Sequence, residues 1–411
     1  MYLMILAQCY APEEVSAAVL ITELAKDMVK KGHAVTVVTG APSYPVGRVF
    51  PGYRNRIYGV EVMDGVRVVR TWSSISPKKT FWSRIFHYGT YSLTAFYGAL
   101  RAGKPDLILS YTPPLPLGLT ARILSRVWRV PWVLQVEDIF PDAAVAVGVL
   151  KNRLAIRFFS WMEQAQYRQA DHILVIAEAF RKNLLGKGVP ADKMTCIPIW
   201  ADPEIVKPQD ERSHFRVQHG VDGKFVVMYA GNLGLTSCLE DVVLGAEHLN
   251  GESGIHFILV GEGVRKAELE KMISERRLQN IQIMPFVPRE DFNDMMAAAD
   301  VNLVTLNEQS KNSSLPSKVI NIMASGRPVL AVAPGGSELA MVVKGAECGV
   351  VVSPGKPDLL ASTVMEMKDH PDQLREMGRN GRRQVEGIFS RQVCTTRCEE
   401  IFRETLARRR L

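Results

Sequence analysis

Residues 313–338 read SSLPSKVINIMASGRPVLAVAPGGSE: a turn of small residues, a short helical pattern, a Gly-Arg-Pro break and an apolar strand. Ser314 is a candidate N-cap of the helix, and Pro316 is expected as its first residue. Because the backbone N–H groups at a helix start have no partner within the helix, this start suits a phosphate. The stretch therefore predicts one helix and strand unit of a ligand-binding α/β sheet.

A stripe of polar side chains follows this predicted helix. Lys318, Asn321 and Ser325 recur with helical spacing, so they share one face of an otherwise apolar helix. A lysine beside a helix start suits a diphosphate, which makes Lys318 a candidate ligand-binding residue. The alternative is that the stripe is only the solvated face of an amphipathic helix.

Short apolar runs alternate with helical patterns along the rest of the chain, as in parallel sheets with crossover helices. The candidate strands of the first half are 2–7, 34–39, 66–71, 107–110, 132–136, 173–176 and 194–198. Those of the second half are 225–229, 256–260, 281–284, 301–305, 329–333 and 349–352. The predicted fold class is α/β, with two doubly wound Rossmann-like domains that face each other across a cleft.

The chain of 411 residues is longer than one hydrophobic core usually serves, so two domains are expected. Residues 201–224 are polar and have no apolar periodicity, which predicts a linker. We therefore expect an N-terminal domain at 1–200 and a C-terminal domain at 225–390. A final helix is expected at 391–411, and packing back on the N-terminal domain is one arrangement open to it.

Charge is distributed unevenly along the chain. Residues 1–200 contain 24 Lys and Arg against 14 Asp and Glu, a balance of +10, whereas residues 201–411 contain 26 against 29, a balance of −3. A basic N-terminal half favours an anionic partner, either a phosphate-bearing ligand or a membrane surface. No motif that reads nucleic acid accompanies the charge, so nucleic acid is not expected as a partner.

Several sequence patterns are absent, and their absence restricts the expected cellular location and the expected class of enzyme. Without a leader pattern or a long apolar span, we expect a cytoplasmic protein, with a peripheral position on the inner face of the membrane as an alternative. The six cysteines lack metal-ligand spacing and are expected to be reduced, mostly core thiols. No Asp-x-Asp pair is present, so no metal is expected. Neither G-x-G-x-x-G nor a P-loop occurs, which disfavours a dehydrogenase and an NTPase.

Three carboxylates, Glu137, Asp138 and Asp142, follow an apolar predicted strand. The end of a strand is where α/β sheets place catalytic groups. Since neighbouring carboxylates raise one another's pKa, Glu137 or Asp138 is a candidate base or electrostatic partner of a cationic transition state. The alternative is structural: Asp142 caps the following helix, and Asp138 pairs with an arginine.

Loops after other predicted strands supply further ligand-binding candidates. Glycines let the backbone approach a ligand closely. The candidates in two glycine-rich turns are Gly231, Asn232, Gly234, Gly261 and Gly263. In the first half, Ser16 is expected to cap a helix, while Tyr44 and Arg48 lie in a proline-containing turn that suits a sugar face or a lipid. Each of these loops also has a purely structural interpretation.

An aromatic and basic segment covers residues 81–88 and extends to Tyr97, preceded by Lys78 and Lys79. Its spacing predicts a helix. Such a helix is suited to a membrane interface, and an ordinary core helix is the alternative.

The order of these motifs resembles that of the retaining glycosyltransferases of family 4, which have the two-domain GT-B fold. It is most similar to bacterial O-antigen and capsule transferases of the fucosamine type. The segments that carry the resemblance are 10–12, 42–47, 112–114, 137–145, 170–171, 197–202, 229–234, 260–263 and 313–338. They extend over nearly the full length of the chain.

The resemblance implies a nucleotide sugar, UDP-linked by expectation, bound by the C-terminal domain as a substrate, so no cofactor is expected. It implies a saccharide or polyprenyl-linked acceptor on the N-terminal domain, and retention at the anomeric carbon without a metal. The implied donor site comprises Gly231, Asn232, Gly234, Gly261, Gly263, Ser317, Lys318, Asn321 and Glu338. The catalytic candidates are Glu137, Asp138 and Lys318. The acceptor-side candidates are Ser16, Tyr44, Arg48 and Asp142.

The sequence departs from the family pattern at several positions. The family's paired glutamates correspond to Ser313 and Asn321, so neither acid is present. The histidine that many family members place after a strand of the first domain corresponds to Glu137, and the glycine pair of the first loop is replaced by Ser16-Ala17 or Ala17-Ala18. The leading hypothesis is a hexosyltransferase of cell-surface polysaccharide synthesis. The alternatives are a catalytically degenerate GT-B partner subunit of another transferase and a nucleotide-sugar epimerase, the latter disfavoured because the motifs belong to transferases.

Overall fold

The computed structural model describes residues 1–77, 80–146, 148–209, 214–311 and 316–410. The chain divides into two compact units. Residues 1–199 and the C-terminal segment from Cys394 form the first unit, and Trp200–Val393 form the second. The sequence predictions for Lys78, Lys79, Ser313 and Ser314 lie outside the described residues.

The first unit is built on an eight-stranded sheet. Its strands are β1 (Tyr2–Leu6), β2 (Ala34–Gly40), β3 (Gly59–Met63), β4 (Val66–Thr71), β5 (Leu107–Thr112), β6 (Trp132–Val136), β7 (His172–Val175) and β8 (Met194–Cys196). Their order is β3-β4-β2-β1-β5-β6-β7-β8. Strands β5 and β6 are buried at every residue, which agrees with their near-continuous apolar sequences.

Helices connect the parallel strands of this sheet. They are α1 (Ser16–Lys30), α2 (Phe81–Ala102), α3 (Leu115–Trp128), α4 (Asp142–Ala146), α5 (Arg153–Gln169) and α6 (Glu178–Gly186). A short 3-10 turn at Ala191–Lys193 precedes β8. The alternation of strand and helix confirms the doubly wound pattern predicted for this half of the chain.

The edge strand β3 was not predicted. It pairs antiparallel with β4, and Val60 and Val62 are exposed, so its residues lack the buried apolar run of the other strands. The turn between the two strands is Asp64-Gly65, with φ of 49° and 80°. Asp-Gly with two positive φ angles is a strong hairpin signal, and it is the sequence feature that identifies β3.

The second unit is built on a six-stranded parallel sheet. Its strands are β9 (Phe225–Ala230), β10 (Ile255–Val260), β11 (Ile281–Met284), β12 (Val301–Thr305), β13 (Val329–Val332) and β14 (Gly349–Val352). Their order is β11-β10-β9-β12-β13-β14. All six were predicted, with ends that differ by at most one residue.

Eight helices are described between Trp200 and Val393. They are α7 (His214–Gln218), α8 (Leu239–His248), α9 (Lys266–Glu275), α10 (Phe292–Ala298), α11 (Lys318–Ala324), α12 (Glu338–Gly345), α13 (Pro357–Asp369) and α14 (Pro371–Gly387). Short 3-10 turns cover Arg289–Asp291 and Glu308–Ser310. Helix α7 lies within the segment predicted as a linker, and Arg216 holds it to the second unit by donating to Asp300 at 2.6 Å.

Both sheets have a position where the strand order reverses. Strand β1 lies between β2 and β5, and strand β9 lies between β10 and β12. Ligands of open α/β sheets bind beyond the carboxyl ends of the strands at such a position. The loops that follow β1 and β9 are therefore where a ligand is expected in each unit.

Two helix starts differ from the prediction. Pro316 is not the first helical residue, because α11 begins at Lys318; the Pro316 carbonyl instead accepts from the N–H of Val319 at 3.2 Å in a preceding turn. Ser16 does not cap α1, because Val15 occupies the N-cap position and no side chain bonds to the free N–H groups there. Ser16 is the first residue of the helix.

The six cysteines are all free thiols, as expected. Cys348, Cys394 and Cys398 are buried, whereas Cys9, Cys196 and Cys238 are partly buried. Within the described residues, no helix combines the length and the apolar character needed to cross a bilayer.

Helix α15 (Arg391–Arg410) ends the described chain, and from Cys394 onward it belongs to the first unit. Glu399 anchors it there. Its carboxylate bonds to Lys31 at 3.1 Å, to His33 Nε2 at 2.9 Å and to Arg403 at 2.7 Å. Desolvation opposes ionisation of Glu399, but hydrogen bonds from these three groups outweigh it and lower its pKa to about 2.

Replacing Glu399 by Gln is expected to weaken the anchoring of α15. A pKa lowered in the folded state means that the carboxylate contributes stability above pH 4.5 and loses that contribution as pH falls towards 2. We expect Glu399→Gln to lower the free energy of unfolding by about 1–3 kcal/mol at pH 7, with a smaller difference at pH 3. Urea unfolding at both pH values measures this, with exposed Glu400→Gln as the control. An equal loss at both pH values would contradict the assignment.

Candidate functional site

The amine of Lys318 is the central feature of the second unit's candidate site. It lies 3.8 Å from the centroid of the Tyr229 ring, and no hydrogen-bond or ion-pair acceptor for it is found among the described residues. Lys318 is half-buried as a residue, and desolvation of the amine lowers its pKa to about 7. An amine that rests on an aromatic face without an anion is well placed to be neutralised by an anionic ligand.

The turn after β9 brings backbone next to this amine. Gly231 has φ of +151°, and a Cβ atom built there would lie 2.4 Å from Nζ of Lys318. The Tyr229 hydroxyl donates to the carbonyl of Asn232 at 2.8 Å, which ties the turn to the ring beneath the lysine. The absence of a side chain at 231 therefore makes room for the amine.

The turn after β10 packs against the turn after β9, backbone on backbone. A Cβ atom at Gly261 would lie 1.9 Å from the carbonyl oxygen of Gly231, and one at Gly263 would lie 2.2 Å from that of Leu233. At Gly234 the nearest atom would belong to the flexible side chain of Asn232. Gly261 and Gly263 are thus required by the packing of the two turns, with or without a ligand.

We expect Gly261→Ala to destabilise the second unit. Its φ of +155° and the contact with the Gly231 carbonyl both oppose a side chain, so the free energy of unfolding should fall by about 2–4 kcal/mol. Gly335→Ala is the matched control, since a Cβ atom there meets nothing within 4 Å. Thermal unfolding of both variants measures the difference. Equal melting temperatures would rule out the packing role.

Two cations near these turns are already paired with carboxylates. Arg265 pairs with Glu240 and, at 2.7 Å, with Glu268. Lys266 pairs with Glu262 at 2.7 Å. Both follow the turn after β10, yet their charges are neutralised by neighbours. Lys318 therefore differs from them in lacking an acidic partner within the described part of the chain.

The other donor-site candidates lie around α11 and α12. Ser317 precedes α11, and Asn321 is partly buried on the same face as Lys318. Ser325 is buried and donates to the Ile322 carbonyl at 2.8 Å, so the predicted polar stripe contributes two side chains to this face and not three. Glu338 is the first residue of α12, whose N-cap Ser337 accepts from the N–H of Ala340.

The first unit contains a pocket of about 480 Å³. The loops after β1, β2 and β6 and the first turns of α1 and α2 form its walls. Its polar lining comprises Gln8, Glu13, Ser16, Ser43, Tyr44, Ser74, Ser76, Ser83, Arg84, His87, Tyr88, Tyr111 and Glu137. The pocket thus lies at the carboxyl ends of the strands that flank the reversal of strand order.

Glu137 and Asp138 are partly buried carboxylates that no described cation neutralises. Desolvation, and secondly the neighbouring Asp138 charge, raises the pKa of Glu137 to about 7. Desolvation raises the pKa of Asp138 to about 6, opposed by the N–H of Ile139. Glu137 lines the pocket, whereas Asp138 does not. The predicted pairing of Asp138 with an arginine is not found among the described residues.

Two of the four acceptor-side candidates lie in the pocket of the first unit. Ser16 and Tyr44 line the pocket, whereas Arg48 and Asp142 do not. Arg48 is exposed next to the lining residue Gly47. Asp142 bonds to Lys187 at 2.8 Å, and the same amine bonds to buried Glu163 at 2.7 Å. Asp142 therefore belongs to a structural ion-pair network.

Glu13 shapes the pocket, and the sequence analysis did not select it as a site residue. Its buried carboxylate accepts from the N–H groups of Ser43 at 2.9 Å and Tyr44 at 2.8 Å. Desolvation raises its pKa, while these hydrogen bonds and the Arg70 charge oppose that shift. Glu13 thus fixes the loop that carries Tyr44. His87, Tyr88 and Tyr111 were also missed as pocket residues, because partners distant in sequence bring them together.

Two family models match the chain. The Glycosyl transferase 4-like domain matches residues 17–200, and Glycosyl transferases group 1 matches residues 211–384. Together they cover most of both units. The chain therefore belongs to the glycosyltransferases that these two models describe. The match confirms the family-level part of the resemblance.

This glycosyltransferase is similar to proteins of several bacteria. The putative colanic acid biosynthesis glycosyl transferase WcaI of Escherichia coli K12 is 28% identical over 344 residues, covering 81% of this chain and 83% of WcaI. Sucrose-phosphate synthase of Thermosynechococcus elongatus aligns with a TM-score of 0.77 at 18% identity over 99% of both chains. Anabaena HepE in complex with UDP aligns with a TM-score of 0.71 at 17% identity, covering 98% of this chain and 100% of HepE. These alignments confirm two Rossmann-like domains of the GT-B fold.

Proposed function

We propose that this glycosyltransferase moves a hexose-type sugar from a UDP-sugar to a saccharide or polyprenyl-linked acceptor during synthesis of a cell-surface polysaccharide of the O-antigen or capsule kind. The observation that carries the proposal is the amine of Lys318, which lies on Tyr229 beside the Gly231 turn with no described acidic partner. A nucleoside diphosphate supplies the missing negative charge. The names of WcaI, with its colanic acid pathway, and of the HepE complex with UDP support the choice of reaction and donor.

In the proposed mechanism, the second unit binds the donor. The diphosphate lies along the turn of Gly231, Asn232 and Gly234, and Lys318 neutralises the charge that grows on it as the glycosidic bond breaks. Ser317, Asn321 and Glu338 bind the nucleoside and sugar hydroxyls. A lysine in this position performs the charge neutralisation that other transferases assign to a metal, so we propose a metal-independent reaction. Retention at the anomeric carbon is proposed from the resemblance to retaining transferases, and it requires the acceptor hydroxyl to attack on the face from which the diphosphate leaves.

The pocket of the first unit binds the acceptor in this proposal. Ser16 and Tyr44 contact the acceptor sugar, and Glu137 accepts the hydrogen bond of the attacking hydroxyl. A carboxylate with a pKa near 7 takes up a proton readily at neutral pH, which suits it to receive the proton of that hydroxyl. Asp138 assists by keeping the pKa of Glu137 high.

A thermal-shift panel with UDP, GDP and ADP tests the donor site. A nucleotide that binds the folded chain at saturating concentration should stabilise it by about 2–4 kcal/mol. We expect the largest stabilisation from UDP. A chain that responds to none of the three nucleotides would contradict the proposed donor site.

Release of UDP from a panel of UDP-sugars tests turnover. Slow release in the absence of acceptor, unchanged by EDTA, is the expected result, and NMR of the glycoside formed with an acceptor reports the anomeric configuration. Nucleotide binding without release from any sugar would instead favour the non-catalytic partner subunit. Asn321, which stands where the family resemblance implies a glutamate, is the described residue that motivates this alternative.

A further inference from the structure

Three adjacent helices of the first unit, α2, α3 and α5, present exposed apolar side chains. The helices share one buried cluster, to which Ile85 of α2, Leu115 of α3 and Phe159 of α5 contribute. Outside this cluster, Trp82 is 74% exposed, Leu93 75% and Leu154 78%. The exposed apolar residues of the three helices are Trp82, Phe86, Leu93, Tyr97, Leu100, Ile123, Val127, Leu154, Phe158 and Trp161. We call this surface the α2–α3–α5 face.

The charged side chains that these three helices present at the surface are all positive. Their sequences contain seven arginines: Arg84, Arg101, Arg122, Arg126, Arg153, Arg157 and Arg168. They contain one acidic residue, Glu163, which is buried and bonded to Lys187. Large apolar side chains interspersed with arginines, without an exposed carboxylate, suit a surface that is negatively charged and has an apolar interior. An anionic bilayer has both properties.

The α2–α3–α5 face adjoins the pocket of the first unit. On α2, Arg84, His87 and Tyr88 line the pocket, while Phe86 of the same turns is exposed. On α5, Phe158 stacks on Trp161 with ring centroids 6.2 Å apart and touches Phe159 at 5.5 Å. Phe159 in turn contacts Phe140, three residues after Glu137, at 5.2 Å. The exposed aromatics are thus continuous with the loop that carries the pocket carboxylate.

We infer that the α2–α3–α5 face docks on a bilayer of anionic phospholipid, so that the pocket of the first unit receives a lipid-linked acceptor directly from the membrane. The arginines contact the lipid phosphates, and the aromatic and leucine side chains enter the headgroup region. The choice of a lipid-linked acceptor rests on the proposed function. The docking itself is inferred only from the exposed apolar side chains and arginines of the α2–α3–α5 face.

Vesicle co-sedimentation of the full chain tests the docking. Vesicles of 70% phosphatidylcholine and 30% phosphatidylglycerol are compared with pure phosphatidylcholine at low and high salt. We expect binding to the anionic vesicles that is at least tenfold stronger than to neutral ones and that weakens as salt rises. Equal binding to both vesicles, or none to either, would overturn the inference.

Substitutions locate the contact. The triple variant Phe86→Ser, Leu154→Ser, Phe158→Ser should lose roughly tenfold or more of the binding to anionic vesicles. The matched control is Val60→Ser, Val62→Ser, Val264→Ser, which removes three exposed apolar side chains elsewhere and should bind as the unmodified chain does. Arg153→Gln with Arg157→Gln should reduce the salt dependence. Unchanged vesicle binding by the triple variant would refute membrane docking by this face. The same holds if the unmodified chain is a dimer and the triple variant is a monomer, because the face would then be an interface between two copies of the chain.

The UDP thermal shift accompanies every variant and separates two kinds of failure. The melting curve and far-UV circular dichroism spectrum of each variant without ligand, compared with those of the unmodified chain, show whether both units are folded. A chain that responds to UDP but does not bind vesicles overturns the membrane inference and leaves the donor site standing. A chain that binds vesicles through this face but responds to no nucleotide overturns the proposed function alone.

Discussion

UDP is expected to lose most of its stabilising effect on a chain that carries Lys318→Met. The Lys318 amine lies beside the Gly231 turn and has no acidic partner among the described residues. Charge-assisted hydrogen bonds to a diphosphate are worth about 1.5–3 kcal/mol. Removing the amine should weaken UDP binding by about 10–150-fold. Isothermal titration measures the change, with exposed Lys344→Met as the control.

The same variant should not unfold the protein. Since the pKa of Lys318 is lowered to about 7, the folded state disfavours the charged amine, and the stability that this group contributes at high pH is lost as pH falls from 10.5 through 7. Methionine removes the cost of burying the charge, so Lys318→Met should be at least as stable at pH 6 as the unmodified chain. A variant that unfolds, or that binds UDP normally, would exclude the proposed role.

This lysine also predicts how UDP affinity depends on pH. A bound diphosphate favours the charged amine, so binding takes up a proton wherever the free protein holds Lys318 neutral. UDP affinity should therefore fall several-fold between pH 7 and 8, and approach a tenfold loss per pH unit above that. Lys318→Met should lack this dependence.

The second large effect is expected at Glu137. If its carboxylate receives the proton of the acceptor hydroxyl, Glu137→Gln should lower the rate of sugar transfer by about 10²–10⁴-fold, while the UDP thermal shift stays intact. In the unmodified enzyme the rate should rise with pH through about 7, as Glu137 ionises. Asp138→Asn is the comparison, because Asp138 does not line the pocket and should cost less. Full transfer activity in Glu137→Gln would remove this residue from the mechanism.

Stability supplies an independent readout for Glu137. A carboxyl whose pKa is raised from 4.5 to about 7 contributes stability below pH 4.5 and loses it as pH rises through 7. Glu137→Gln should therefore raise the free energy of unfolding by about 1–3 kcal/mol at pH 8 and by little at pH 4. Urea unfolding at the two pH values measures the difference, and a loss of stability at pH 8 would show that the carboxylate is neutralised by a group other than those described.

Strands with mainly apolar sequences were predictable because burial of a strand leaves a trace in its composition. Strands β6, β11, β12 and β14 begin and end at the predicted residues. The exposed edge strand β3 left a weaker trace, since Val60 and Val62 face solvent and only the Asp64-Gly65 turn marks the hairpin.

The sequence by itself determined two α/β units and the turns that follow β9 and β10, and it identified Lys318, Glu137 and Asp138 as candidate site residues. Each depends on local spacing or on position after a strand, and the order of residues along the chain records both. Only the tertiary structure decided which glycines touch the lysine, that Lys187 pairs with Asp142, and that Glu13 fixes the loop of Tyr44. These facts depend on contacts between residues far apart in the chain, where desolvation and charge are set by neighbours that local patterns do not specify.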